Sequence, residues 1–330
     1  MLAVSVIIPV YNVDKFISRC IQSVMDQSYQ GPIECIIVDD CCKDKSVEII
    51  NEMISCYHGV VDFKVFHHEQ KKGVSAARNT GTLNAKGEYI FYLDSDDAIK
   101  NNCIQLMVDE VEKHPDVEMV IGAHDTIHFD SGETEHIVFK ACYVEDNRWI
   151  RYMFFRYDNP YRVVVWNKLI KKSFIENNSL YFKEGVIHED EHWSFYAFRN
   201  LKRLSVIEQK TYHHYVRPGS IMTSRNAVTS AVSFRYILDE LTKSFDNPFR
   251  SLLISKYLSY FLMFVFPFLP RSSVRSLYFR FVNRLLSVGE LKIACYLFVN
   301  WFHKFRIYRL TYIMVPERYR YHSKRCYFDL

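Results

Sequence analysis

The sequence predicts an α/β fold: a mostly parallel sheet flanked by helices, followed by a helical C-terminal region. Strand-length apolar runs alternate with helix-length amphipathic segments over residues 1–125. The runs show no polar alternation, as expected of strands buried on both faces. Most of them end on polar residues, and in a parallel α/β sheet those chain ends gather at one edge, where ligands bind.

Val4–Val10 is the first run. Asp14 is placed to cap the next helix, which sets Phe16, Ile17, Cys20, Ile21 and Val24 on one face. Ile33–Val38 is the second run and closes on Asp39 and Asp40; Asp44 opens a helix through Ser46–Tyr57. Val61–Phe66 reads as a third strand and Ser75–Ala85 as a helix. Tyr89–Leu93 is the fourth strand, Asn101–Lys113 its helix, and Met119–Ile121 a short fifth strand. Residues 126–225 combine a hairpin around Asp130-Ser131-Gly132 with aromatic helices and short strands. From Ala227 the pattern is helical. Leu252–Phe266 is strongly apolar, but it contains Lys256 and stops at Pro267, short of the about twenty residues that span a bilayer. Arg271, Arg275, Arg280 and Arg284 interleave with Leu277, Phe279, Phe281, Leu285 and Leu286. That stripe reads either as an interfacial amphipathic helix or as a helix packed on the domain. The expected divisions are 1–125, 126–225 as the second half of the same domain, and 226–330.

Composition narrows the chemistry. Ten glycines in 330 residues, with no G-x-G-x-x-G and no G-x-x-x-x-G-K-[ST], argue against a Rossmann dehydrogenase or a P-loop NTPase. Nine cysteines without a C-x-x-C pair, and a first strand with no basic n-region before it, predict reduced thiols and a cytoplasmic protein. The net charge of +4 conceals a split: residues 271–330 hold twelve Lys/Arg against three Asp/Glu, +9, which leaves −5 elsewhere. A basic tail on an acidic body fits a nearby anionic surface, or simply a solvated helical face.

The densest chemistry lies in Phe91-Tyr92-Leu93-Asp94-Ser95-Asp96-Asp97, an apolar strand that runs into three carboxylates. Carboxylates at that spacing repel, so a positive charge is expected among them. The simplest candidate is a hard divalent cation with positions left for phosphate oxygens, and that points to a diphosphate substrate.

Ser5-Val6-Ile7-Ile8-Pro9-Val10-Tyr11-Asn12 resembles the opening of family 2 glycosyltransferases, which have the GT-A fold. The resemblance extends through Ile36-Ile37-Val38-Asp39-Asp40 with Asp44, Gly73–Gly81 and Gly87–Asp97. It continues more weakly through Trp166-Asn167-Lys168-Leu169, His188-Glu189-Asp190-Glu191 and Tyr215–Ser220, and fades after about residue 225. It implies a GT-A nucleotide-binding sheet, a nucleotide-sugar donor and inversion at the anomeric carbon.

The roles follow from the resemblance. Asp94, Asp96 and Asp97 would hold Mg²⁺ or Mn²⁺, with Asp96 the first choice for direct contact and Ser95 beside the donor. Asp39 would accept from the imide N–H of uracil, and Pro9, Tyr11 and Asn12 would line base and ribose. The family pattern has Gly-Ser where this chain has Cys41-Cys42, so the turn must tolerate side chains; the cysteines read as incidental. Arg78 would contact the diphosphate or orient the aspartates. Asp190 would be the base that takes the acceptor proton, in preference to Glu189 or Glu191, with Glu189 near the acceptor. Arg217 and Ser220 would contact phosphate from a lid, while His213 and His214 read equally well as strand residues. Trp166 is either a wall of the sugar or acceptor pocket or core packing.

The leading expectation is therefore an inverting, metal-dependent glycosyltransferase. It would use a UDP-sugar and a glycan or lipid-linked acceptor, in surface polysaccharide or glycoconjugate synthesis. The basic C-terminal region would make peripheral contact with the inner membrane face, and no nucleic acid is expected. A nucleotidyltransferase would need a glycine- and lysine-rich loop that is absent; an inactive nucleotide- or glycan-binding module is the alternative from another class.

Overall fold

The computed structural model describes residues 1–155 and 163–216, with Ser233, Tyr236, Ile237 and Glu240 besides. Arg217, Ser220 and the basic stripe from Arg271 to Arg284 lie outside the described residues. The chain forms two compact units. The first, Met1–Ile150 with Val163–Thr223, carries the candidate site.

The parallel half follows the apolar runs. β1 (Val4–Val10), β2 (Ile33–Asp39), β3 (Asp62–His67) and β4 (Tyr89–Tyr92) alternate with α1 (Ile17–Met25), α2 (Ser46–Ser55) and α3 (Val74–Asn84). β1 is buried along its whole length between β2 and β4, with Ile7 opposite Ile36 on one side and Tyr92 on the other. Pro9 is tolerated in this central strand for a local reason. Ile7's carbonyl takes the N–H of Leu93, so Pro9, two residues on, faces the same side just where the ladder to β4 has ended.

α3 lies close against β1. A Cβ at Gly81 would stand 2.4 Å from Ile7 Cγ2, so only glycine lets the helix approach this near. The expected face of α1 is observed: Ile17, Cys20, Ile21 and Val24 are fully buried, with Phe16 partly buried against the same core. Asp14 does not cap it. The α1 N-cap is Phe16, without a side-chain bond, and Asp14 instead donates its N–H to Asp44 Oδ2 at 2.9 Å. Asp44's other oxygen accepts from Ser46 N at 3.0 Å, so it holds the first N–H of α2 and ties two loops together, but the N-cap itself is Lys45, without a side-chain bond.

The second half is antiparallel or mixed: β5 (Ala98–Ile99), α4 (Cys103–Lys113), β6 (Met119–His128), β7 (Thr134–Ile137), β8 (Cys142–Val144), α5 (Asn147–Phe155), β9 (Lys168–Lys171), α6 (Lys172–Asn177), α7 (Glu189–Asn200) and β10 (Leu204–Val216). The ten-stranded sheet runs β3-β2-β1-β4-β9-β6-β10-β5, with β7 on β6 and β8 on β10. β6 has ten residues where the sequence marked only Met119–Ile121, because its outer half is polar: His124, Asp125 and Thr126. That half pairs with β7 through the expected hairpin, in which Gly132 at φ +70° donates to His128 O. β6 and β10 are parallel to each other, and β9 is antiparallel to both β4 and β6. The long strands therefore project past the same edge at which β1, β2 and β4 end.

Gly81→Ala forces α3 away from Ile7 and is expected to lower the unfolding free energy by about 1–3 kcal/mol. Urea denaturation reads this directly; an unchanged midpoint and slope would contradict the close approach.

Candidate active site

The loop from Leu93 to Asp97 joins β4 to β5 and is held from within. Asp97 N–H donates to Asp94 O at 3.0 Å. Arg19 donates to Asp96 O at 2.7 Å, and Cys20 Sγ lies 3.7 Å from Asp94 O. Asp97 is 1% exposed. Its Oδ2 accepts from Tyr212 OH at 2.7 Å and stands 3.2 Å from His214 Nδ1, and its Oδ1 accepts from Tyr215 N at 2.8 Å. Burial pushes the Asp97 carboxyl up to about 6, against the pull of His214. Burial also opposes charge on His214, but the bond to Asp97 outweighs it and leaves the imidazole pKa raised. Both oxygens of Asp97 are thus engaged by β10.

Asp94 has a different cation. Arg78, 4% exposed on α3, donates Nη2 to Asp94 Oδ1 and Nη1 to Glu189 Oε1, both at 2.8 Å. Burial works against the guanidinium charge, but Asp94 and Glu189 more than offset it. Its Nε is sealed from solvent and has no hydrogen-bond partner in the structure. Of the two roles expected for Arg78, the orientation of the aspartates is the one visible here.

Among the described residues no three His, Cys, Asp or Glu side chains converge on a point that could hold a metal. Within the loop the protein itself supplies partners for Asp94, through Arg78, and for Asp97, through Tyr212, His214 and the Tyr215 N–H. Asp94 and Asp96 are both partly exposed, and Ser95 between them is buried. Two hard carboxylates at a rim fit a cation that keeps most of its coordination for waters and phosphate oxygens.

At the end of β2, Asp39 is 7% exposed. Its Oδ1 accepts from Cys42 N at 2.8 Å and its Oδ2 pairs with His67 Nδ1 at 3.0 Å. Burial raises the carboxyl, yet these two partners outweigh it and the pKa is lowered. Cys41 adopts φ +64°, the left-handed region that explains a glycine in the family pattern. Cys42 supplies the N–H, and burial together with Asp39 pushes its thiol up to about 12, so it stays protonated. Asp40, unassigned by the sequence, organises the next loop. It accepts from Lys72 N and Gly73 N at 2.7 Å and pairs with His68 Nδ1 at 2.8 Å, fixing the start of α3. Asn12 Oδ1 accepts from Lys43 N at 2.9 Å. Tyr11 is 37% exposed at the edge, with the Lys71 ammonium 3.7 Å from its ring centroid. His67, His68 and Lys71 were not found from sequence; no motif distinguishes them from ordinary loop residues.

α7 begins at Glu189 after His188, which takes φ +67°. Asp190 Oδ1 accepts from Glu191 N at 2.9 Å. Burial first, then the charges of Glu189 and Glu191, hold its carboxyl well above the usual range, with Arg78 pulling the other way. Trp166 is 5% exposed, and its ring stacks on Tyr212 at 4.6 Å and His214 at 5.1 Å. Its flat faces are thus covered by protein, and of the two readings core packing is the one observed.

The profile of glycosyl transferase family 2 matches residues 5–179. The chain is a family 2 glycosyltransferase. It is 30% identical to the glycosyltransferase GlyG of Streptococcus pneumoniae over 225 residues, covering 66% of this chain and 72% of that protein. It is 31% identical to the putative glycosyltransferase EpsH of Bacillus subtilis over 223 residues, but spans only 62% of that protein's length. In three dimensions it superposes on Staphylococcus aureus TarS 1-349 in complex with UDP-GlcNAc with a TM-score of 0.72 and 20% identity, covering 97% of this chain and 92% of that one. This likeness establishes the GT-A fold. Among the described residues no helix is long and apolar enough to cross a membrane.

Arg78→Met leaves the Asp94 and Glu189 carboxylates without their shared cation. The expected loss is about 3–5 kcal/mol of unfolding free energy, measured by urea titration. A loss below about 1 kcal/mol would show that the bridge is not structural.

Proposed function

We propose that this enzyme moves a sugar from a UDP-sugar to an acceptor hydroxyl with inversion, in the synthesis of a surface polysaccharide or glycoconjugate. One observation carries the proposal: a single buried guanidinium joins Asp94 of the acid loop to Glu189, the neighbour of Asp190. The group that would face the leaving diphosphate and the group that would face the acceptor are thereby fixed relative to one another. TarS, solved with UDP-GlcNAc, supports a donor of this class.

Asp39 would accept the imide N–H of uracil with lone pairs left over after His67 and Cys42, since an ionised carboxylate has about four. Pro9, Tyr11 and Asn12 would flank base and ribose, and Arg217 and Ser220 would close on the phosphates from beyond Val216. Asp96, with Asp94, would hold Mg²⁺ or Mn²⁺ together with diphosphate oxygens; the cation supplies Lewis-acid neutralisation of the departing phosphate. Asp190 would take the proton from the acceptor hydroxyl during in-line attack. Burial beside two acids suits a carboxylate to that task, because the raised pKa makes it a stronger base. Glu189 serves here as the group that orients Arg78, at the acceptor side of the site.

The decisive experiment screens a panel of nucleotide sugars with the full chain and Mn²⁺ or Mg²⁺, reading nucleoside diphosphate release. Asp190→Asn is expected to cut kcat by about 10²–10⁴-fold while UDP affinity stays unchanged; normal turnover would exclude Asp190 as the base. Asp96→Asn is expected to abolish the Mn²⁺ dependence of UDP binding in calorimetry. The base must be ionised, so transfer should fall as pH drops through a pKa well above the ordinary carboxylate value. Glu189→Gln removes the largest charge that raises it and should move that acid limb to lower pH. A limb that stays in place would refute the coupling.

A further inference from the structure

β6 carries a carboxylate that the reaction above does not use. Asp125 is 6% exposed on the half of the strand that projects past β9. It is in register with His136 of β7 on one side and His213 of β10 on the other. Its Oδ1 lies 2.7 Å from both His136 Nδ1 and Lys210 Nζ, and its Oδ2 lies 3.8 Å from both Lys100 Nζ and His213 Nδ1. One negative charge therefore sits among two ammonium groups and two imidazoles, and it can neutralise only one of the lysines.

Two ammonium groups against one carboxylate leave positive charge over, and two further observations agree with that count. The His213 pKa is lowered although a carboxylate faces it. Burial is the main cause, and the charges of Lys100, Arg19 and Lys210 add to it against Asp125. Moreover, Lys100 Nζ has only the 3.8 Å approach to Asp125, beyond hydrogen-bond range, with its side chain one-third exposed. His213 Nδ1 is sealed from solvent and likewise makes no hydrogen bond. A buried ring nitrogen without a partner is costly, and the part-exposed Lys100 ammonium is open to solvent or to an incoming anion.

The position matters as much as the charge. Lys100 directly follows β5, three residues beyond Asp97, and β5 pairs with Tyr212 and His213 of β10. Alternation along β10 places Tyr212 and His214 on the face that anchors Asp97 and places His213 on the other. Arg19 links the two faces, donating to Asp96 O while its guanidinium lies 3.4 Å from the Tyr215 ring centroid. The cluster thus adjoins the acid loop without sharing the face that Asp97 occupies.

We propose that Lys100, Lys210, His213 and His136 form a phosphate-binding subsite beside the acid loop, which seats a phosphate ester of the acceptor. Lysines bind phosphate as point charges, and a phosphate group would supply acceptor oxygens to Lys100 and His213. Assignment of the phosphate to the acceptor rests on the transferase reading; the binding itself does not.

The test uses the full chain with UDP and Mg²⁺ at saturation, so that the donor position is filled. Inorganic phosphate and glycerol phosphate are titrated by calorimetry, and vesicles of phosphatidylglycerol are compared with vesicles of phosphatidylcholine by sedimentation. Binding of the soluble phosphates is expected, weakened about fivefold or more by Lys100→Gln and further by Lys100→Gln with His213→Asn. Lys86→Gln, at the opposite edge of the sheet, should change nothing, and UDP affinity should survive Lys100→Gln. Binding seen only with phosphatidylglycerol and lost in Lys100→Gln supports the same subsite with a lipid headgroup as the source. No phosphate binding once UDP is bound, or equal binding by the Lys100→Gln variant, overturns the subsite. Failure of UDP to bind, with phosphate still bound, overturns the donor reading alone.

Discussion

Arg78 is the interaction on which the rest of the site depends. A buried guanidinium is expensive unless its charge is met, and here two carboxylates at 2.8 Å meet it from opposite sides. Each such contact is worth roughly 4 kcal/mol at an effective dielectric near 20, enough to offset desolvation only because both are present. The planar fork of arginine suits this double engagement, and the compact ammonium of lysine does not. Everything that places Arg78 is therefore part of the site. Asp40 fixes the first turn of α3, Gly81 lets the helix lie on β1, and His68 ties Asp40 to Thr80 on the same helix.

A second fixed point lies one residue beyond Asp96. Asp97 gathers Tyr212, His214 and the N–H of Tyr215, and Tyr212 in turn stacks on Trp166. The outer end of β10 is thus attached to the acid loop by a hydrogen-bonded carboxylate inside an aromatic stack. The acid loop is consequently held at both ends, by Arg78 at Asp94 and by β10 at Asp97, with Asp96 between them. On the proposed mechanism such a loop would lose little conformational freedom when a diphosphate arrives, which is the condition for electrostatic stabilisation of a leaving group.

The parallel half was legible in the sequence because burial on both faces leaves an unmistakable mark. Val4–Val10 and Ile33–Asp39 are apolar runs of strand length, and each is buried throughout. The outer half of β6 was not legible. His124, Asp125 and Thr126 break the apolar pattern, yet they are buried: Asp125 lies among paired charges, His124 packs on the rings of Trp166 and Phe139, and all three are in the ladder to β7. Asp14 illustrates a smaller failure of the same kind. Its position fits a cap, but α1 starts only at Ile17 with Phe16 as its N-cap, while Asp14 is tied by its N–H to Asp44 across the loop, a contact that one-dimensional spacing cannot register. In the site, the motif residues were found where local sequence is distinctive, whereas His67, His68 and Lys71 act only through their position in space.

Charge repulsion within the acid loop was sound as a premise, but it did not by itself name the cation. Three carboxylates in four residues do require positive charge, and the fold supplies partners for Asp94 and Asp97: arginine for the first, histidine with two hydrogen-bond donors for the second. Had all three acids converged on one ion, that ion would have been a structural fixture, held whether or not substrate was present. Asp94 and Asp96 are part-exposed at the rim, and two carboxylates would leave most of a divalent ion's coordination to other oxygens. The cation would then be held best when diphosphate oxygens complete its shell. On the proposed mechanism metal affinity and donor affinity would form one coupled equilibrium, each raising the other by the same factor.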